Sequence, residues 1–426
     1  MASSRQRLIF FSDVNRFFIE ECLFLVAFSC YIFATWFTYT GYQSFFGLNY
    51  NSFRRIMYGI SLVCLAVKYI LQRNSLKENI LVIFVGLVLL VSALVSNSHL
   101  LIWCYIFIIC ARHVSIKPIS FCFFMVLFLI GVITFTGYFL GVTSSNNLAS
   151  TVTRGARYSL GFAHPNTLAF YLLAFELAWI SMRYEFLRLR DLVILIVFST
   201  ISHFLTYSRT ADGAFFLLIA GVVALLFVRK HPSLKNRRRN CKLQLLLFAL
   251  YASIGAVVAF SIYSMFFYNG SNQAWAKLDS FSSGRLHLAH QYLNETGITA
   301  FGHSFEDSAV QNIDIHGEDI TFLVDNLYCN VLLCYGFVTW VLSFVGVLLA
   351  ILRLSHSRQR VWLLGITIFL MVGLFEALFF KLSFNFGVLG LQAAIYKDAF
   401  ADSTWDESAL SVLPLYAKLC NPAQTK

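Results

Sequence analysis

Long apolar runs are the feature that most constrains what this chain can fold into. A helix needs roughly 20 consecutive apolar residues to cross the hydrocarbon core of a bilayer, and such runs recur along most of the sequence. Only 12% of the 426 residues are charged, which is about half the share found in soluble proteins. The sequence therefore predicts an all-α polytopic membrane protein.

The apolar runs give about 12 transmembrane helices. The first run is long enough to span and is followed by no small-residue cleavage pattern, so it is interpreted as a helix rather than a cleaved signal peptide. Residues 1–426 are accordingly predicted to form a single integral membrane domain. The predicted spans are 17–39, 55–71, 79–96, 100–112, 119–140, 166–182, 191–207, 212–228, 243–267, 326–352, 361–380 and 384–397.

The positions of lysine and arginine set the predicted orientation, because cytoplasmic connections carry an excess of both. With the N-terminus in the cytoplasm, most of the 32 basic residues fall in cytoplasmic connections, and the C-terminus forms a cytoplasmic tail from 398 to 426. The basic run 229–242 lies between two spans, where topology explains it better than nucleic acid does, so no nucleic-acid partner is expected. The outer connections keep Arg54, Arg55, Arg154, Arg157, Arg209, Lys277, Arg285 and Lys381.

One predicted outer connection is much longer than the others. Residues 268–325, between spans 9 and 10, mix aromatic, apolar and charged side chains. Within them, Ser283–Leu293 has an apolar stripe that predicts a surface helix. Loops of this length are usually functional or disordered, and the regular apolar positions favour an ordered extracytoplasmic cap.

Four of the outer arginines are candidate ligands of phosphate. The planar guanidinium group gives phosphate oxygens two parallel charged hydrogen bonds. The alternative for each is a snorkelling side chain or a structural ion pair. Arg154 and Arg157 lie in the polar stretch before span 6, Arg209 lies in Tyr207–Thr210 at the end of a span, and Arg285 lies in the long loop.

His164, Pro165 and Asn166 form a second candidate group. Proline and asparagine suit the start of a helix, so a cap explains Pro165 fully. A cap does not explain why a histidine follows two arginines so closely. We therefore keep His164 and Asn166 as candidates for contact with substrate.

Asp325 opens the tenth span, just before Asn326 and Tyr328. An aspartate at a helix start is a favourable cap, but beside arginines at the membrane surface its carboxylate can also accept a proton from a hydroxyl group. The histidines of the long loop can do the same: His287, His290, His303 and His316. They lack zinc-binding spacing, and the 10 cysteines contain no CxxC pair, so no metal is predicted.

Glu176 and Glu376 are isolated acids inside predicted spans. Carboxylates at such positions are costly and are usually functional or paired. In a secondary transporter they would mark a path for protons or solute.

Taken together and in order, these motifs resemble the bacterial O-antigen and capsule polymerase and ligase family (Wzy-type polymerases and their relatives). The resemblance covers about residues 150–350. The matching residues are Arg154, Gly161, His164-Pro165-Asn166, Ser208-Arg209-Thr210, Gly284-Arg285, Asp325-Asn326-Leu327-Tyr328 and Tyr335-Gly336.

The resemblance implies a GT-C-like membrane fold and an inverting glycosyltransferase that needs no metal and no cofactor. Its donor is a glycan on undecaprenyl pyrophosphate. The implied catalytic base is Asp325, with His316 and His303 as rivals. The implied contacts to pyrophosphate or glycan come from Arg157 first, then from Arg285, Arg209, Arg154, His164, Asn166, Asn326 and Tyr328.

The expected function is thus polymerisation of lipid-linked repeat units into a capsule, exopolysaccharide or O-antigen at the bacterial plasma (inner) membrane. Membrane lipids, a chain-length regulator and a flippase are the expected further partners. In the ligase branch a histidine commonly precedes the matching Asn-x-Tyr, and Asp325 stands there in this chain, which favours a polymerase. The alternatives are an O-antigen ligase-type transferase, a secondary transporter or flippase of lipid-linked glycans, and a scaffold without catalysis.

Overall fold

The computed structural model describes most of the chain. The described residues are 2–42, 44–45, 48–143, 147–148, 155–230, 241–304, 311–313, 319–321, 324–357 and 359–399. Two residues predicted to act at the site, Arg154 and His316, lie outside them, as does most of the predicted tail.

The chain is built from α-helices. In chain order they are α1 (Ala2–Phe37), α2 (Tyr50–Leu71), α3 (Leu76–Ser96), α4 (Leu100–Cys110), α5 (Ile116–Phe139), α6 (Pro165–Met182), α7 (Leu189–Thr206), α8 (Arg209–Lys230), α9 (Cys241–Phe267), α10 (Gln273–Phe281), α11 (Arg285–Thr296), α12 (Leu327–Cys334), α13 (Phe337–His356), α14 (Arg360–Val372) and α15 (Gln392–Ile395).

Short extended and 3₁₀ pieces join these helices. Two small antiparallel hairpins pair β1 (Ser44–Phe45) with β2 (Leu48–Asn49) and β3 (Gln311–Ile313) with β4 (Asp319–Thr321). Turns of 3₁₀ helix occupy Tyr184–Phe186 and Phe386–Leu391. The predicted surface helix in the long loop is confirmed as α11.

The described helices make this chain a polytopic membrane protein. Seven of the described helices are long and apolar enough to cross a bilayer: Arg16–Phe37, Leu76–Ser96, Ile116–Phe139, Leu189–Thr206, Arg209–Phe227, Ala249–Phe267 and Phe337–His356. The helices α4 and α14 and the stretch Phe386–Ile395 are apolar but shorter. The count of 12 spans stays a prediction.

The predicted span 326–352 is broken into α12 and α13 at Gly336. This glycine has φ +87°, and a Cβ placed on it would lie 2.3 Å from the backbone nitrogen of Gly302. Gly302 has φ +86°, and its own Cβ would lie 1.8 Å from the carbonyl oxygen of Cys334. Two backbones therefore touch where α12 ends, and only glycine fits at both positions.

Replacing Gly336 by alanine is expected to lower the folded yield and melting temperature of the purified protein. The added methyl group meets backbone rather than a movable side chain, and the left-handed conformation adds strain, so we expect a loss of about 2–5 kcal/mol. Gly59→Ala is the matched control, since a Cβ there meets nothing within 4 Å. Equal melting temperatures for the two variants in detergent would contradict this close backbone contact.

Residues 373–399 pass through the interior without forming a long helix. Such backbone is tolerated at membrane depth only where protein surrounds it. The indole nitrogen of Trp36 donates to the Ser383 carbonyl oxygen at 2.7 Å, and the Asn385 amide donates to the Phe379 carbonyl oxygen at 2.9 Å. At the far end, Arg112 pairs with Asp398. Buried contacts thus replace the hydrogen bonds that a continuous helix would have made.

Candidate functional site

Two acids from distant parts of the sequence meet at Arg285, and one of them, Asp325, is a predicted site residue. Its Nε lies 3.1 Å from Asp325 Oδ2, and its Nη2 lies 2.9 Å from Glu376 Oε1. These residues begin α11, precede α12 and follow α14. We call Arg285, Asp325, Glu376 and Thr210 the Arg285 cluster. One guanidinium group is therefore shared by two carboxylates from separate parts of the chain.

Local capping explains why these side chains point at each other. Asp279 Oδ1 accepts hydrogen bonds from the backbone nitrogens of Leu286 and His287 at 3.0 and 3.1 Å. This carboxylate satisfies donors at the start of α11, where Arg285 is the first residue. The arginine side chain carries the wrong charge for that end of the helix dipole, and it is stabilised by the two acids instead.

Asn326, and not Asp325, caps α12. Its Oδ1 accepts from the backbone nitrogens of Tyr328 and Cys329 at 3.0 and 3.1 Å. The backbone nitrogen of Leu327 then donates to the Gly373 carbonyl oxygen at 2.7 Å, which ties α12 to the end of α14. The alternative role of Asp325 as a cap is thereby answered, and its carboxylate, 40% exposed, faces Arg285.

The sequence analysis places Glu376 inside the eleventh span, and the structure shows that it lies beyond the end of the helix in this span. The helix α14 ends at Val372, so Glu376 belongs to the non-helical segment that follows. Its side chain is 12% exposed. Burial raises the pKa of Glu376 to about 7, while Arg285 opposes that rise and Asp325 adds to it. The Thr210 side chain hydrogen-bonds this carboxylate, and Lys381 lies near enough to act on its charge.

Melting curves are expected to show the ionisation of Glu376. A carboxyl group whose folded-state pKa is raised stabilises the fold below its unfolded value of about 4.3, and that stability is lost as pH rises towards 7. Glu376→Gln should therefore flatten the fall in melting temperature between pH 5 and pH 7. Glu295→Gln, an exposed acid on α11, is the control. Parallel curves for wild type and Glu376→Gln would contradict the raised value.

Arg157 forms a second group with His164, Asn166 and Thr206, which we call the Arg157 cluster. Arg157 Nε donates to the Thr206 carbonyl oxygen at 2.7 Å, and Nη2 donates to Asn166 Oδ1. Arg157 is 7% exposed. The first of these bonds satisfies a carbonyl at the C-terminus of α7, where positive charge is favourable.

His164 itself caps α6, so the expectation that a cap does not explain this histidine is wrong. Its Nδ1 accepts a hydrogen bond from the backbone nitrogen of Asn166 at 3.0 Å. Burial, and secondly the charge of Arg157, lower the pKa of His164. A neutral imidazole with an accepting Nδ1 carries its proton on Nε2, so the ring can still donate one hydrogen bond to a substrate oxygen.

The turn between α7 and α8 links the two clusters. Thr206, the last residue of α7, accepts from Arg157, and Thr210, the second residue of α8, hydrogen-bonds Glu376. Tyr207 between them is left-handed at φ +43°, and its ring packs against Gly155, where a Cβ would lie 2.7 Å from two of its carbons. Arg209, exposed at the first position of α8, projects from this turn.

Three predicted site residues have described contacts outside the Arg285 and Arg157 clusters. Tyr328 is fully buried and its hydroxyl donates to the Leu370 carbonyl oxygen at 2.6 Å. Asn326 is 2% exposed and its Nδ2 donates to Ser261 and Leu374. His303 lies beside Cys334 at the opposite end of α12 from Asp325, and an eight-residue helix is about 12 Å long. Their described contacts are structural.

Glu176 does not join Glu376. It is buried on α6, eleven residues after Pro165, which is about 16 Å along a helix whose start lies at the Arg157 cluster. Its electrostatic neighbour is Asp191, which pairs with Arg183 at 2.7 Å. The two buried acids therefore lie at different depths of the bundle.

The role of Glu376 at the site was missed by sequence reasoning. A usable signal was present, because Glu376 and Lys381 interrupt an otherwise apolar stretch only five residues apart.

Among the described residues, no group of three or more His, Cys, Asp and Glu side chains could hold a metal ion.

The site thus consists of Arg285, the acids Asp325 and Glu376 that share its guanidinium group, and the α7–α8 turn, which is followed by the cation Arg209. Comparisons with known proteins supply nothing further: no family model, no curated protein and no solved structure matches this chain.

Proposed function

We propose that this protein is a polysaccharide polymerase that transfers a glycan from undecaprenyl pyrophosphate to the sugar of a second lipid-linked repeat unit. The observation that carries the proposal is the convergence of Arg285, Asp325 and Glu376 next to the turn that bears Arg209. Cations gathered at a membrane surface suit a diphosphate, and a carboxylate beside them suits an attacking hydroxyl group.

The proposed reaction needs no metal. Asp325 takes the proton of the acceptor hydroxyl, whose oxygen attacks the anomeric carbon from the face opposite the leaving group. The bond from that carbon to the pyrophosphate oxygen breaks, and undecaprenyl pyrophosphate leaves with the electron pair. The new glycosidic bond forms with inverted configuration. The negative charge that Asp325 loses on protonation appears on the departing pyrophosphate.

Arg285 has the central role in this scheme. While both acids are ionised, its charge is shared between them. Protonation of Asp325 weakens one of those ion pairs just as negative charge appears on the departing diphosphate. The guanidinium group can then donate hydrogen bonds to the leaving diphosphate, and Arg209 and Lys381 add positive charge nearby. Preorganised donors of this kind are usually the largest single contribution to catalysis.

Arg157 has a supporting role in this proposal. Its guanidinium is buried and bonds Thr206 and Asn166, so it is less accessible to a diphosphate than Arg285, whose side chain is 15% exposed. We assign it to fixing the α7–α8 turn, and Arg285 replaces it as the first candidate for phosphate. His164 can donate from Nε2 to a sugar or phosphate oxygen.

The test is reconstitution of the purified protein in vesicles with an undecaprenyl-pyrophosphate-linked oligosaccharide. We expect a ladder of longer glycans on the lipid, and we expect it to persist in EDTA. The assay is repeated with several donors whose repeat units differ in their sugars. If none of them gives a ladder, the proposal is overturned. Transfer of a single glycan to a different lipid acceptor would indicate a ligase instead.

A flippase of lipid-linked glycans is the second candidate, favoured by the segment 373–399, which forms no long helix. Discontinuous segments often form the solute sites of transporters. The same vesicles distinguish the two functions, because a flippase moves a labelled lipid-linked glycan between leaflets without lengthening it.

A further inference from the structure

An apolar groove lies between α3, α4 and α13, and residues from the 380–395 segment complete its wall. It encloses about 190 Å³. Leu81, Val85 and Leu89 line it along one stripe of α3, over about 12 Å of helix. Across from them, Gly346 removes a side chain from the wall contributed by α13. The groove therefore runs along the helices rather than across them.

The edges of the groove are open to the surroundings of the bundle. Leu81, Val345 and Leu349 line it and are 42%, 49% and 41% exposed. In a bilayer, apolar side chains exposed on helices of this kind meet hydrocarbon rather than water. A chain from the membrane can therefore enter sideways.

The size of the groove suits part of one hydrocarbon chain. An engineered apolar cavity of about 150 Å³ stays dry and binds benzene. A groove of 190 Å³ accordingly takes a short segment of a single branched chain, while two chains lying side by side would not fit.

One residue of the groove wall connects it in sequence to the Arg285 cluster. Phe380 lines the groove, and the next residue is Lys381, whose charge acts on Glu376. A lipid with an anionic head at Lys381 and Arg285 would have its chain directed along this path.

We propose that the groove binds the chain of a polyprenyl phosphate lipid whose head group lies at Lys381 and Arg285. This inference rests on the proposed function, because it places the lipid of the donor substrate. A single-chain carrier matches a groove for one chain, whereas a bilayer phospholipid presents two acyl chains for each head group.

Gly346→Leu is the variant that tests the groove. A Cβ on Gly346 meets nothing within 4 Å, so the new side chain fills the groove without disturbing a packed neighbour. Gly59→Leu is the matched control, because Gly59 is equally open on α2 and does not line the groove. Both changes replace glycine in a helix by a better helix former.

The measurement is native mass spectrometry of purified protein with undecaprenyl monophosphate or with phosphatidylglycerol. We expect Gly346→Leu to bind the polyprenyl lipid about tenfold more weakly, because the leucine displaces about two methylene groups of the chain. We expect Gly59→Leu to bind it like wild type. Unchanged binding by Gly346→Leu would overturn the proposal.

Phosphatidylglycerol is the control lipid, because it is anionic but has two acyl chains. Comparing the two lipids shows whether the groove selects the polyprenyl chain. Equal retention of both lipids, with an equal loss in Gly346→Leu, would show that the groove holds acyl chains and would also overturn the assignment. Binding is measured without turnover, so the two proposals fail separately. A protein that binds the polyprenyl lipid through the groove but makes no ladder would contradict the polymerase alone.

Discussion

Arg285→Ala is expected to abolish chain lengthening by the reconstituted protein, with an initial rate at least 100-fold below that of wild type. Removal of one preorganised donor to a developing negative charge costs about 10²–10³ in rate, and Arg285 is also the residue that holds both acids in place. The measurement is the initial rate of ladder formation in vesicles that contain equal amounts of folded protein.

Loss of the fold is the competing explanation for such a result. Arg285→Ala leaves Asp325 and Glu376 facing each other without their shared partner, and unpaired charges of low exposure are strongly destabilising. The double variant Arg285→Gln with Glu376→Gln removes this repulsion, since it deletes one cation and one anion. We expect the double variant to melt close to wild type and still to be inactive.

Lys277→Ala is the control for the general loss of positive charge. Lys277 is exposed on α10 in the same long loop, so its removal changes net charge equally without touching the cluster. We expect its rate to stay within twofold of wild type. Rates for the Arg285 variants that match the control at equal folded amounts would remove the central cation from the mechanism.

Hydropathy alone was enough for the class of fold. The seven long helices follow from unbroken apolar runs, because helix length is set by the thickness of the bilayer. The break at Gly336 could not be predicted in the same way. It depends on a close approach of Gly302, which is 34 positions away in the sequence, and the apolar pattern continues through it without interruption.

Two members of the Arg285 cluster were among the predicted site residues, but their pairing was not predicted. Arg285 and Asp325 were selected for being charges on the outer side of an apolar chain, and the structure places them 3.1 Å apart. The sequence could not separate the roles of Asp325 and Asn326, since either residue type caps a helix. That choice depends on whether Arg285 lies within reach, which only the packing of α11 against α12 decides.

For Glu376 the sequence analysis was wrong about the local structure. Within a window of apolar residues it was assigned to the interior of a helix and considered for transport. The helix α14 in fact ends four residues earlier, because the chain turns there towards α12 through the Gly373 carbonyl group. An acid in a short polar interruption was thus the best available clue that the helix had stopped.

Asp325→Asn is expected to reduce the rate of chain lengthening by about 10²–10⁴, the usual contribution of a positioned general base. Asparagine keeps an oxygen that can accept from Arg285 Nε, so the fold and the position of Arg285 should be retained. The missing property is the ability to take up a proton. We therefore expect wild-type melting and wild-type binding of the lipid-linked donor together with a loss of turnover.

Two other acids make this prediction specific to Asp325. Glu295→Gln removes an exposed acid of α11 that bonds only Gln291 among the hydrogen bonds described for it, and it should leave the rate unchanged. Glu376→Gln should keep measurable activity, because Glu376 is the less exposed acid and its side chain also bonds Thr210. If Glu376→Gln is inactive while Asp325→Asn turns over normally, the assignment of Asp325 is contradicted, and Glu376 is the base that takes the proton of the acceptor hydroxyl group. The acceptor sugar would then have to approach the cluster from the side of α14.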